Sequence, residues 1–271
     1  NGQLFPKHVS GKDVSAIVLT HSHIDHSGAI PLFYISGSVP LYTTKLTFDV
    51  TKVLLKDMLR ISGAYLPFEQ EEIKKMKRNA HFLRYKQKVE VADDVSITLY
   101  NAGHIPGSAM ALVEIDGKNI LYTGDINSIE TQLLHGLNPR EIPPLDAIIL
   151  ETTYGTTIHS PREDMEHDLI QIVNNTYFQG GISLIPAFGV GRSQEIMMIL
   201  NKYGKPDYPI TVDGMARKVS RIYKRNSDIL KNPKLFRDAL KNTHLINNRN
   251  RRYERNRAAH HKGTIIAPSG M

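Results

Sequence analysis

Three histidines and an aspartate crowd into the six residues His21-Ser22-His23-Ile24-Asp25-His26, straight after the apolar run Ala16-Ile17-Val18-Leu19-Thr20. A short apolar run of this kind reads as a buried strand. The cluster therefore falls in the turn that leaves a strand, where a rigid element aims several side chains at one point. Neutral imidazole and carboxylate are the donors zinc takes where no thiolate is available. One tetrahedral ion cannot use all four groups: His21 and His23 serve one ion, and Asp25 and His26 reach a second. A two-metal hydrolytic centre is the expectation that follows. The cluster is internal and mixed in composition, unlike a terminal homopolymeric tag.

Two further strand ends close on the same residue types. Asn101-Ala102-Gly103-His104 follows the apolar stretch 96–100, and a glycine before the histidine lets the backbone pass close to an ion. Thr123-Gly124-Asp125 follows Ile120-Leu121-Tyr122 and ends in a carboxylate, a natural bridge between two cations. Each is weak alone. Their recurrence in an order that can converge is what carries weight.

Composition narrows the chemistry. The 271 residues contain no cysteine, so disulfides and thiolate metal sites are excluded and any metal must use His, Asp and Glu. Hydrophobic content of 41% and charged content of 23% are ordinary for a globular protein, and the length allows two domains. No run approaches the roughly 20 apolar residues that cross a bilayer, and no signal-like N-terminus is present, which fits a cytoplasmic protein. The net charge of +7 favours an acidic partner such as nucleic acid.

The pattern predicts α/β architecture. Strands are expected at 16–20, 39–42, 96–100, 110–115, 120–122 and 147–150, with a helix over 45–60. Asp116-Gly117-Lys118 marks a tight turn, so 110–115 and 119–123 should form a hairpin. After Glu151 helices and strands alternate: a helix from Ser160-Pro161 to about Asn175, with proline at its first position, then a strand at 181–185, a helix at 192–201 and a strand at 209–212. Alternation of this kind predicts a small parallel sheet.

His-x-His-x-Asp-His after a strand, then Gly-His, then Thr-Gly-Asp, resembles the metallo-β-lactamase superfamily. Ile148-Ile149-Leu150-Glu151-Thr152-Thr153-Tyr154-Gly155 is similar to the acidic motif that opens its β-CASP subgroup. Pro186-Ala187-Phe188-Gly189-Val190-Gly191-Arg192-Ser193-Gln194-Glu195 and the closing Ala267-Pro268-Ser269-Gly270-Met271 resemble two more stretches of that group. The closest likeness is to its RNA-cleaving branch, the archaeal and eukaryotic pre-mRNA 3′-end cleavage factors, with the RNase J type as neighbour. The resemblance implies an αββα metallo-β-lactamase sandwich over 1–158, an inserted β-CASP domain of helices and parallel strands over 159–262, and the start of a return to the first domain over 263–271. It implies that His21, His23 and His104 bind a first zinc, that Asp25 and His26 bind a second, and that Asp125 bridges. Glu151 would orient a histidine, and Asp25 would also hold the attacking water. The activity implied is hydrolysis of single-stranded RNA by in-line attack of water at a two-zinc centre, endonucleolytic with 5′-exonuclease action as an addition. A homodimer or cleavage-complex subunits are the protein partners implied, and no membrane.

The family pattern is incomplete at both ends. Its Asp-x-Gly strand end ahead of the histidine cluster does not occur in positions 1–20, where Asp13 stands in Gly11-Lys12-Asp13. The two histidines it carries after the Ser-Gly-Met stretch have no counterpart, since His260 and His261 precede the final strand. The expectation is a core fragment of the lactamase-like domain, truncated at both termini, with weakened zinc binding.

The stretch from Asn247 to Lys262 holds Arg249, Arg251, Arg252, Arg255 and Arg257, with Tyr253 among them. Dispersed positive charge with an interleaved aromatic suits single-stranded RNA, and it equally suits a solvated basic helix. Arg192, after Gly189-Val190-Gly191, is either a phosphate contact at a helix start or an unliganded helix-terminal residue. The competing readings are a DNA-directed β-CASP nuclease and a non-catalytic RNA-binding subunit of a cleavage complex.

Overall fold

The computed structural model describes residues 9–203 and 208–268. The opening Asn1-Gly2-Gln3 and the closing Ser269-Gly270-Met271 lie outside the described residues. The chain divides into two compact units, the first comprising Asn1–Ile129 and Gly136–Glu151, the second Glu130–His135 and Thr152–Met271.

The first unit is built on two sheets. β1 (Ile17–Val18), β2 (Leu41–Thr43) and β3 (Ala80–Phe82) run parallel in that order. β1 is shorter than the apolar run that forms it. The ladder nonetheless reaches further, because Leu19 N–H donates to Tyr42 O at 2.9 Å. Between these strands lie α1 (Ile24–Ser27), α2 (Lys45–Ser62) and α3 (Gln70–Arg78). Leu19, Tyr34, Leu41, Phe48, Leu55 and Met76 form one core between the helices and this sheet.

The second sheet follows in meander order: β4 (Lys88–Ala92), β5 (Val95–Asn101), β6 (Ala109–Ile115) and β7 (Lys118–Tyr122) are antiparallel, and β8 (Ala147–Ile149) joins β7 in parallel. The expected hairpin is present, with Asp116 and Gly117 both at positive φ (51° and 70°), the backbone that a two-residue turn of matching twist requires. Period-two alternation sorts β6 between two cores. Ala109 and Ala111 pack with Tyr42, Ile97 and Leu99 toward the first sheet, while Met110 and Leu112 pack with Ala102 and Leu121 on the other face. Among the described residues that outer face is covered by Ile126, Leu137 and Ile142 rather than by a helix.

The second unit is a four-stranded parallel sheet. In chain order its elements are α4 (Arg162–Phe178), β9 (Ile182–Pro186), α5 (Arg192–Tyr203), β10 (Ile210–Val212), α6 (Gly214–Arg225), α7 (Pro233–Lys241), β11 (Thr243–Leu245), α8 (Arg251–His260) and β12 (Gly263–Ala267), with strand order β11-β10-β12-β9. α4 starts one residue later than the sequence predicts, with Pro161 in extended backbone at the cap. One expectation is corrected. Residues 263–267 do not begin a return to the first unit: β12 sits inside this sheet, paired in parallel with both β10 and β9. Thr264 and Ile266 are buried there, and an apolar strand flanked by two open ladders satisfies its backbone best by filling the gap.

Candidate metal centre

Three turns of the first unit deliver the site. The first leaves β1. Thr20 Oγ1 lies 3.2 Å from His21 Nδ1, which turns the other ring nitrogen, Nε2, inward. His23 precedes the short helix α1 as its cap residue, and Ser27 Oγ donates to the carbonyls of Ser22 (3.1 Å) and His23 (2.9 Å), closing the turn on itself. The second turn joins β5 to β6 and carries His104. Gly103 sits at φ +68°, and a Cβ there would come within 2.2 Å of Asn127 O. Thr44, the cap of α2, and Thr47 both donate to Gly107 O, at 2.8 and 2.7 Å. The third turn leaves β7 and carries Asp125. Gly124, at φ +54°, has no room for a side chain because a Cβ would sit 2.8 Å from Thr20 Oγ1.

The three turns converge. One donor atom each from His21, His23, His104 and Asp125 lies within 4.8 Å of every other. Asp125 divides its two oxygens. Oδ2 is 3.5 Å from His21 Nε2 and 3.5 Å from His104 Nε2, whereas Oδ1 is 3.3 Å from His26 Nε2. His104 Nε2 is 3.2 Å from His23 Nδ1. His26 Nε2 also lies 3.5 Å from Asp25 Oδ2, and the Asp25 side chain is largely exposed at the rim. Four of the six nominated ligands thus share one cluster, His26 faces it through Asp125 Oδ1, and Asp25 lies beside His26 at the rim.

Burial disfavours the charged forms of His21, His23 and His104. Burial, then the neighbouring His26, His104 and His23, pull His21 down to about 2. Burial and His23 pull His104 down to about 4, against the opposing pull of Asp125. Burial likewise lowers His23. His21 Nε2 is buried and makes no hydrogen bond. Neutral, inward-facing imidazoles around a carboxylate are a donor set for a divalent cation, and imidazole-rich sets suit zinc. The residues therefore fit such ions.

Glu151 follows β8, beside this centre. Its Oε1 accepts the N–H of Ile126, the residue after Asp125, at 3.3 Å, and its charge acts on His104. Its own N–H donates to Thr123 Oγ1 at 3.2 Å. The supporting roles of Thr20, Thr44 and Thr47 are not visible in the sequence, since threonines at strand and helix ends are ordinary.

The basic residues belong to the second unit. Arg192 is exposed at the first turn of α5. Arg249, Arg252 and Tyr253 are exposed on or before α8. Arg251 and Arg255 are engaged differently: both pair with the buried carboxylate of Asp213, Arg251 Nε at 3.3 Å and Arg255 Nη2 at 2.5 Å. Burial pushes the Asp213 carboxyl up, yet the Gly214 N–H and the two guanidiniums outweigh it and hold the group below its usual range. The sequence offers Asp213 only as a turn residue before a glycine.

A family model described as the metallo-beta-lactamase superfamily domain matches residues 3–149. The chain is 36% identical, over 98% of its length, to a protein named RNase aCSPSF2 from Saccharolobus solfataricus, of which it covers 54%. It is 37% identical over 96% of its length to a Probable RNase MJ4 from Methanocaldococcus jannaschii, covering 62% of it. It is 39% identical over 78% of its length to Transcription termination factor FttA from Pyrococcus abyssi, covering 34%. The chain thus spans a third to about three fifths of these relatives. With three strand-end turns converging on a histidine–aspartate cluster, and a family model spanning the unit that builds it, the chain belongs to the metallo-β-lactamase superfamily.

Proposed function

We propose that this chain carries the hydrolytic core of a metal-dependent ribonuclease of the β-CASP type, which cuts phosphodiester bonds of single-stranded RNA in 3′-end processing or decay. The observation that carries the reading is the division of the Asp125 carboxylate. One oxygen faces His21 and His104 and the other faces His26, as a bridge between two cation sites requires. His21, His23 and His104 would hold one ion, Asp25 and His26 the other. Bound zinc would supply Lewis acidity toward the scissile phosphate and neutralise the charge that develops on its oxygens.

The chain's own residues do the rest. Burial disfavours the charged forms of His21, His23 and His104, which leaves ring nitrogen lone pairs available to a cation. Asp25, exposed at the rim and 3.5 Å from His26, is placed to accept a proton from an attacking water. Glu151 acts as a positioning residue by holding the Ile126 amide and with it the Asp125 turn. Arg192, Arg249, Arg252 and Tyr253 are the surface residues that suit RNA, with phosphates met by guanidiniums and a base stacked on the ring. Arg251 and Arg255 instead hold α8 to Asp213. Relatives named as RNases favour RNA over DNA as substrate, and the convergence of His21, His23, His104 and Asp125 argues against a non-catalytic subunit. Among the described residues no helix is long and apolar enough to cross a membrane.

The test offers the zinc-loaded full-length protein equal lengths of single-stranded RNA and DNA, with bound metal counted by elemental analysis. The reading expects two zinc ions per chain and cleavage of RNA well ahead of DNA. Preferential DNA cleavage overturns the substrate, and metal-free protein that cuts at full rate overturns the mechanism.

A further inference from the structure

We propose that Glu195 is a positioning residue for the metal centre, acting through the segment Glu130–His135. The inference rests on the metal reading above. The chain leaves the first unit after Ile129 and re-enters it at Gly136, and the six residues between belong to the second unit. This excursion begins five residues after Asp125.

The first-unit residues that flank it are packed on the turn that carries His104. Asn127 N–H donates to Ala102 O at 2.9 Å, and Leu137 N–H donates to Asn127 O at 2.8 Å. A Cβ on Gly103, the residue before His104, would come within 2.2 Å of Asn127 O and 2.6 Å of Leu137 N. A Cβ on Gly136 would come within 2.3 Å of Ser128 O. The residues that flank the excursion on both sides therefore pack backbone to backbone against each other and against the His104 turn.

Its tip is held by buried charge. Glu195 is 4% exposed and accepts three hydrogen bonds: Gln132 N–H to Oε1 at 2.9 Å, Leu133 N–H to Oε2 at 2.8 Å, and the Arg162 guanidinium to Oε1 at 2.5 Å. Glu166, also buried, accepts the Gln132 side-chain amide at 2.9 Å and Arg162 Nε at 3.2 Å. Burying two carboxylates is costly unless each is fully hydrogen-bonded. Charge-assisted bonds from two consecutive backbone amides fix a loop far more tightly than turn residues do. Such an anchor is out of proportion for a segment that only has to close a loop. It suits one whose ends must hold two ligands, His104 and Asp125, in register. Groups behind metal ligands commonly change affinity 10- to 100-fold when removed.

The experiment uses the full-length protein and zinc alone as probe. Zinc affinity is measured by competition with a chromophoric chelator for wild type, Glu195→Ala and Glu195→Gln, alongside amide hydrogen exchange. Loss of the carboxylate in Glu195→Ala is expected to weaken binding of at least one zinc about tenfold or more, with faster exchange at Gln132 and Leu133 and unchanged protection in the rest of α5. Glu195→Gln keeps one accepting oxygen and should fall between the two. If Glu195→Ala does not fold, Glu195→Gln alone decides. Wild-type zinc affinity in a variant whose Gln132 and Leu133 amides exchange freely overturns the inference. Failure of the wild type itself to bind zinc overturns the metal reading instead.

Discussion

At the residue scale, the centre depends on imidazoles that stay uncharged. His21 is held down to about 2 chiefly by burial, and His104 to about 4. In the unfolded chain both titrate near 6.5. Because the folded values lie below the unfolded one, the neutral form contributes stability that is present above about pH 6.5 and lost as pH falls toward the folded values. Metal-free protein is therefore expected to lose roughly 1–2 kcal/mol of stability per buried imidazole between pH 7.5 and pH 5, measured by urea unfolding at the two pH values. A flat profile would mean these rings are solvated. The ligands themselves were legible because histidine and aspartate at strand ends are chemically conspicuous. Thr20, which turns the His21 ring, and Gly124, which makes room for Thr20, were not. Their roles depend on a contact between positions 20 and 124 that no local pattern encodes.

At the element scale, α2 does two things. Its buried face supplies Phe48 and Leu55 to the core, and its N-terminus holds the His104 turn through Thr44 and Thr47. Thr44 Oγ1 accepts the Thr47 N–H at 3.2 Å while donating to Gly107 O. Thr44→Val keeps the shape and removes both bonds. It is expected to cost about 1–2 kcal/mol, read from a shifted thermal or urea midpoint, and to weaken zinc binding as the turn loosens. Wild-type stability in that variant would contradict the capping role. Strands β5 to β7 and helix α2 were readable from apolar spacing and from the Asp116-Gly117 turn. Helices α3, α6 and α7 were not assigned. Each carries a narrow apolar stripe in a highly charged sequence, Ile73 and Met76 in α3, Ala216, Val219 and Tyr223 in α6, Phe236 and Ala239 in α7, and packing of that stripe stabilises it. β12 was placed in the wrong unit because an apolar strand carries no label for the sheet it will join.

For the molecule as a whole, a net charge of +7 is a statement about its partner. Two of the arginines nominated for RNA, Arg251 and Arg255, are bound to Asp213, which leaves Arg252 and Arg257 as the exposed arginines of α8 outside that pairing. Replacing Arg252 and Arg257 together by glutamate should weaken RNA binding and lower the slope of log affinity against log salt by about 1–2, while the zinc content stays unchanged. An unaltered slope would return α8 to a purely structural role. Metal binding and RNA binding use different residues, and one variant separates them. Cleavage and binding of the same single-stranded RNA are measured for the zinc-loaded full-length wild type and for His23→Ala. The expected result is cleavage reduced by at least about 100-fold, with RNA affinity within about twofold of wild type. Cleavage at the wild-type rate by His23→Ala would contradict the assignment of this histidine–aspartate cluster as the hydrolytic centre.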